Sequence, residues 1–508
     1  MSTVIEVGSA ARAGEIVRFT RRSARRYNRS RTSLPDLFVD VYVSVLALGC
    51  AVALAVSFVL ALRGEFAQRS ATDSGLIADP VLVLPSQALE VLLTFAALAA
   101  VVVLGRRLGP LAVGGPESTW WLSLPVDRRP MVWGPFLRRA VLAGAGATVA
   151  YTPVSILGAL ERAPLTHAYA AATFGVLVVA AMGTAALLQG SGRSVGLKFA
   201  AAGIAVAGAF ATVLVPSAWS FGAALVLAMA LLRLVSPRAG LVSGGELTRA
   251  GAVSGHVGSS LYFMDSNELL RAVRADSRTA HRRGARYFRW PMRSPFAALL
   301  RADVVGFLRL HPTPTTAVLW LVACVAVMLV DGGLPVFVQL GAVVLAGCAV
   351  ASGFGAVARR AALVPELDGL VPVNPTLVRA SRAAMPAATM MLWMALLGGV
   401  LAFLGAAGPM LILVSALAGI GMGAGTVRGA SRPATDWSAP PVETPFGPVP
   451  RAQLAALLRG VDVTVLSLMP VVLTLYLGVV ALPVLVVQAV ISGVVFLVVA
   501  MTNPHGNG

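Results

Sequence analysis

Apolar runs of 18 or more residues recur along this chain from Val41 to Met501. Each can cross a hydrocarbon layer about 30 Å thick as a helix. Lipid offers no partner to a bare peptide group, so a chain built of such runs must satisfy its backbone within helices. Of the 508 residues, 57% are hydrophobic and only 12% charged. The charged share is roughly half that of soluble domains. The expected class is an all-α polytopic membrane protein in the cytoplasmic (plasma) membrane.

Proline, glycine and charge divide the runs into about twelve spans, at 38–62, 83–105, 138–160, 168–189, 199–215, 218–235, 313–330, 335–356, 385–406, 409–427, 462–480 and 482–500. Short breaks such as Pro216-Ser217, Gly408-Pro409 and Leu482-Pro483 mark tight hairpins between helices. The basic residues test this layout. With the N-terminus in the cytoplasm, 37 of the 40 Lys and Arg fall on the inner side, and only Arg63, Arg69 and Arg162 outside. That asymmetry matches the preference of cytoplasmic loops for basic residues and places both termini inside.

The predicted organisation is a basic cytoplasmic segment over 1–37, a six-span half over 38–235, a basic cytoplasmic linker with an interfacial helix over 236–312, a second six-span half over 313–500, and a tail over 501–508. An even number of spans gives the two halves the same orientation, as in parallel repeats. Polar residues continue to Asp36 before any apolar run, too long for a signal-peptide n-region, so the first span is expected to be retained.

The net charge of +18 reads as topology and lipid contact rather than nucleic-acid binding. No folded basic domain is evident. The arginine clusters, chiefly Arg18 to Arg31, are expected to face anionic lipid. Cys50, Cys324 and Cys348 lie within apolar runs and the histidines are dispersed, so no disulfide framework, metal site or cofactor site is expected.

The connection after the second span reads ESTWWLSLPVDRRP (117–130), and its counterpart after the eighth reads PELDGLVPVNPTLVRASRA (365–383). Superposing Pro125 on Pro372 brings Asp127 onto Asn374. Glu117 and Glu366 precede the prolines, and Arg138, Arg139 and Arg379, Arg382 follow. Asp127 and Asn374 are good N-caps, each with a proline, Pro130 or Pro375, in the first helical turn. Each copy therefore describes a short helix, a break, and a capped helix entering the bilayer with arginines at headgroup level. Two roles fit: a duplicated membrane elbow with interfacial tryptophans, or a docking helix offering Glu117, Trp120, Trp121 and Leu122 to a partner.

These segments resemble the coupling helices of type-2 ABC exporter permeases. More narrowly, WWLSLPVDRRP and DWSAPPVETPFGPVPRAQLAALLRG (436–460) resemble an uncharacterised actinobacterial family of fused, twelve-span permease-like proteins. The resemblance implies two copies of a separate ATPase subunit. It assigns Glu117, Trp120, Trp121, Leu122 and Leu124 to docking one copy, and Glu366, Leu367, Leu370 and Val371 to docking the other. A phosphate-binding loop needs a lysine after glycine. The only lysine, Lys198, lies between Leu197 and Phe199, so the chain is expected to be no ATPase and no enzyme.

Within the spans, Glu90 is the clearest ionisable residue and a possible pathway group, although its shallow depth also suits snorkelling; Gln87 and Gln339 are weaker candidates. The linker is Gly/Ser-rich to residue 260. Asp265 and Glu268 then form a capping box, and a helix from Ser294-Pro295 carries Phe296, Leu299, Leu300, Val304 and Phe307 opposite Arg301 and Arg309. The proline-rich stretch 436–449 predicts an extended strap. A secondary transporter of six-plus-six layout and a non-transporting scaffold are the alternative readings. Against the former, GRRLGP (105–110) lacks an adjacent acid.

Overall fold

The computed structural model describes residues 13–20, 22–27, 38, 42, 57, 76–77, 83–158, 162–191, 195–262, 268–269, 272, 294–310, 315–330, 334–362, 373–431, 440, 442–444, 447–449 and 460–501. Each predicted span from residue 83 onward coincides with a helix; 38–62 lies almost wholly outside the described residues. Among the described residues, eight helices are long and apolar enough to cross a membrane. The protein is an all-α polytopic membrane protein, with one small β-hairpin.

The chain divides into two compact units, and their boundaries differ from the predicted halves. One holds residues 1–70 and 86–258, the other 71–85 and 259–508.

The first unit contains α1 (Ser86–Leu108), α2 (Gly115–Trp120), α3 (Arg129–Gly158), α4 (Pro164–Ser191), α5 (Val195–Val213), α6 (Ala218–Arg238) and α7 (Gly244–Tyr262). Helix α4 is its axis, packed on α1, α3, α5 and α6. In its apolar stretch 78% of residues are buried, against 22% in α1, whose Leu92, Leu93, Val103 and Leu104 point outward. The break between α5 and α6 is set by Ser217, which forms a reciprocal capping box with Ser220. Residues 244–262, expected as a Gly/Ser-rich linker, form helix α7 instead. Small residues allow it: Gly251 lies so close to the 111–114 segment that a Cβ would stand 2.0 Å from the Val113 carbonyl oxygen.

The second unit contains α8 (Pro295–Leu310), α9 (Thr315–Met328), α10 (Val336–Phe354), α11 (Ala356–Ala361), α12 (Pro375–Phe403), α13 (Leu411–Ser431), α14 (Val461–Leu477) and α15 (Leu482–Met501). Its centre is the α12–α13 pair. Backbone meets backbone there: a Cβ at Gly423 would lie 2.4 Å from the Pro386 carbonyl oxygen. Such close approach suits helix pairing in lipid, where dispersion rather than water exclusion drives association. The strap expected over 436–449 is in part a hairpin, with β1 (Val442–Thr444) antiparallel to β2 (Gly447–Val449).

The predicted interfacial helix is α8, but Arg301 does not face water. Arg301 and Asp303 are buried, and Asp303 pairs with Arg382 of α12. The helix is thus bound to its unit by charge as well as by Val305 and Phe307.

Candidate functional site

The 117–130 segment, within the first unit, holds most of the short helix α2 and the turn that opens α3. Pro at the first turn and Glu117 start α2, and the favourable position of an acid at a helix N-terminus supports them. The two tryptophans separate. Trp120 is 72% exposed, whereas Trp121 packs with Leu122, Val126 and Trp133 onto buried Leu111, Val113, Met131 and Phe136. Glu117 and Leu124 are exposed. The predicted docking set therefore splits: Glu117, Trp120 and Leu124 are presented, while Trp121 and Leu122 anchor the segment from behind.

Pro125 ends the turn, and Asp127 Oδ1 accepts from the Arg129 amide at 2.9 Å, opening α3 with Pro130 in its first turn. The elbow is then tied to the end of α6. Arg129 Nη2 donates to Ser236 Oγ at 2.7 Å, and Arg128 reaches the Val242 carbonyl. From the other side, Gln189 of α4 accepts from the Leu111 amide (3.0 Å) and donates to its carbonyl (2.9 Å), while the Val113 amide bonds to Leu247 of α7. The N-terminal segment takes part too. Ala13 and Val17, one helical turn apart, are buried in the same cluster, leaving Arg18, Arg22, Arg25 and Arg26 exposed. Only one face of that segment is thus left exposed.

The second copy is seen from Asn374. Its side chain accepts from the Thr376 amide at 2.9 Å, with Pro375 opening α12. This repeats the cap chemistry of Asp127. Glu366, Leu367, Leu370, Val371 and Pro372 lie outside the described residues. The arginines that follow differ between copies. Arg138 and Arg139 are exposed. Arg379 instead donates to the Ala500 carbonyl at the end of α15, and Arg382 pairs with Asp303, so neither simply marks a headgroup plane.

The candidate pathway residues part company. Glu90 does not snorkel: it is 4% exposed, turned into the first unit. Its carboxylate accepts from Tyr151 Oη at 3.3 Å and lies 3.7 Å from Arg162 Nη1. Thr94 Oγ1 is 3.0 Å from Tyr151 Oη, and the Tyr151 ring stacks on Phe174. Arg162 also donates to the Val213 carbonyl at the end of α5, 2.8 Å away. An acid inside a bundle needs such partners, because burying a lone charge is costly. Gln87 is exposed. Gln339 is buried but structural: it accepts from the Leu76 amide (2.9 Å) and donates to the Leu334 carbonyl (3.0 Å). Tyr151, Thr94 and Arg162 were not singled out as site residues by sequence reasoning. Arg162, one of only three basic residues on the predicted outer side, was the signal that could have found them.

Among the described residues no cluster of His, Cys, Asp and Glu could hold a metal. Residues 85–440, well over half of the chain, match a family of unknown function, DUF6297, and the protein belongs to it. No curated protein and no solved structure matches the chain.

Proposed function

We propose that the protein is the membrane-spanning permease subunit of an ATP-driven exporter, working with a separate ATPase subunit in two copies. In this reading twelve spans form two like-oriented halves with both termini in the cytoplasm. The 117–130 and 365–383 elbows face the cytosol and receive the motor. ATP binding would draw the ATPase copies together and move both elbows, and the halves would rock about a central path.

One observation carries the reading: the exposed trio Glu117, Trp120 and Leu124 stands on a buried footing. A membrane anchor needs no bonds from Arg129 to the end of α6 and from Arg128 to Val242 just beyond it. A handle that must transmit force does, because a loosely held loop would absorb the displacement. The repeated cap at Asn374 supports a second handle. Co-purification of the ATPase with the full chain tests this. Glu117→Arg combined with Glu366→Arg is expected to abolish association while leaving the melting profile unchanged. Retained association would remove the docking role.

A secondary transporter is the second reading, favoured by the buried Glu90–Arg162 pair. It requires substrate uptake into vesicles on a proton gradient without ATP; the exporter requires none.

A further inference from the structure

Behind the first elbow, α4, α5 and α6 leave a cavity of about 410 Å³. Its floor is hydrocarbon: Leu111, Ala186, Leu187 and Val235 line it and are almost wholly buried. At its mouth stand Arg238 and Leu241, both on the surface. Arg238 is the one charged side chain in the lining among the described residues. We infer that the cavity holds one acyl chain of an anionic glycerophospholipid, with the headgroup phosphate on Arg238.

Four features select this occupant. The mostly apolar floor, with Leu111, Ala186, Leu187, Leu197 and Val235, offers a hydrophilic ligand few side-chain partners. The volume lies at the small end of ligand sites, which span about 300–1,000 Å³, and so suits a single chain rather than a bulky ring system. The lining carries Arg238 and no carboxylate, the nearby Asp127 Oδ1 beside Gly240 being engaged by the Arg129 amide, and Lys198 follows the lining residue Leu197 directly. Arg238 spends only a long 3.4 Å contact from Nη1 on the Leu234 carbonyl, so most of its donor fork can face a phosphate. Finally, the mouth itself includes exposed hydrocarbon: Leu241 of the lining is 83% exposed and Leu197 is partly so. A ligand entering past these side chains comes from the bilayer. Basic pockets between spans are where anionic headgroups of the inner leaflet bind. The inference takes only that inner-leaflet placement from the proposed function.

The site has a mechanical meaning. Val235 and Arg238 flank Ser236, which holds Arg129 of the elbow. Leu111 is the residue that Gln189 clamps. A chain seated between them would brace both supports of the elbow at once.

Native mass spectrometry of the purified full chain, released from nanodiscs of equimolar phosphatidylcholine and phosphatidylglycerol, tests the site without any ATPase. The first retained lipid is expected to be phosphatidylglycerol by about five-fold, the order set by one basic residue at an anionic headgroup. Arg238→Gln should bring that ratio near parity and Arg238→Lys should keep most of it. Leu197→Trp, filling the cavity, should reduce retention of the lipid itself; melting in phosphatidylcholine alone reports whether that variant folds. Equal preference in wild type and Arg238→Gln, undiminished retention in a folded Leu197→Trp, or retention of free fatty acid in place of phospholipid would each overturn the inference. Loss of ATPase association would leave it standing.

Discussion

The two units share a way of starting a helix but not a way of using polar groups inside. Asp127 and Asn374 both accept an amide two residues on and both precede proline. Each unit also has an amphipathic helix ahead of its first predicted span, around Ala13–Val17 in one and α8 in the other. Inside, they diverge. The first unit buries an acid, Glu90, with Tyr151 and Arg162. The second buries the neutral Gln339 at the corresponding span, where its amide serves only backbone, and keeps its buried acid, Asp303, on α8 against Arg382. Local capping has one good solution and recurs in both units. Buried charge needs partners from other helices, and each unit meets this in its own place: Glu90 with Tyr151 and Arg162 in the first, Asp303 with Arg382 in the second.

That contrast can be broken by substitution. Arg162→Leu should have the largest effect. Removing one member of a buried pair costs about 3–5 kcal/mol, read as a large fall in melting temperature in detergent, and Glu90→Gln added to it should restore much of the loss. If Arg162→Leu melts like wild type, the pair is not a structural element. Trp121→Ala should cost about 2–3 kcal/mol, because it strips a partly buried ring from a packed footing, whereas Trp120→Ala should stay within about 0.5 kcal/mol. Similar losses at both would contradict the division of the tryptophans. Gln339→Leu should cost about 1–3 kcal/mol by orphaning two backbone groups and should speed proteolysis between residues 71 and 85. Smallest, Asp127→Ala and Asn374→Ala should each cost about 1 kcal/mol. A clear inequality between them, measured by thermal melting, would mean that the caps are not equivalent.

Much of this architecture was legible from apolar run length, because lipid leaves a helix no alternative. The caps at Asp127, Asn374 and Ser294 were legible for the same local reason. Helix α7 was not. Its glycines argue against a helix by propensity, and tertiary contact with Val113 overrides them. Ser243 and Glu246, a capping box in sequence, were its one local sign. The burial of Arg301 and Asp303 was hidden because the partner of Asp303, Arg382, is distant in sequence. The split between Trp120 and Trp121 followed in outline from helical geometry, but which of the two faced inward depended on Leu111 and Phe136.

Residues 71–85 belong to the second unit although they precede α1 of the first. Leu84 donates to the Leu329 carbonyl and bridges to Val330, the Leu76 amide meets Gln339, and Ile77 is buried in that unit's core. A stand-alone C-terminal polypeptide, cut anywhere between the units near residue 259, would therefore lack a piece of its own interior. The two units of this chain cannot be encoded as two exchangeable genes without carrying that piece across. Covalent fusion here is a requirement of assembly rather than a convenience of expression.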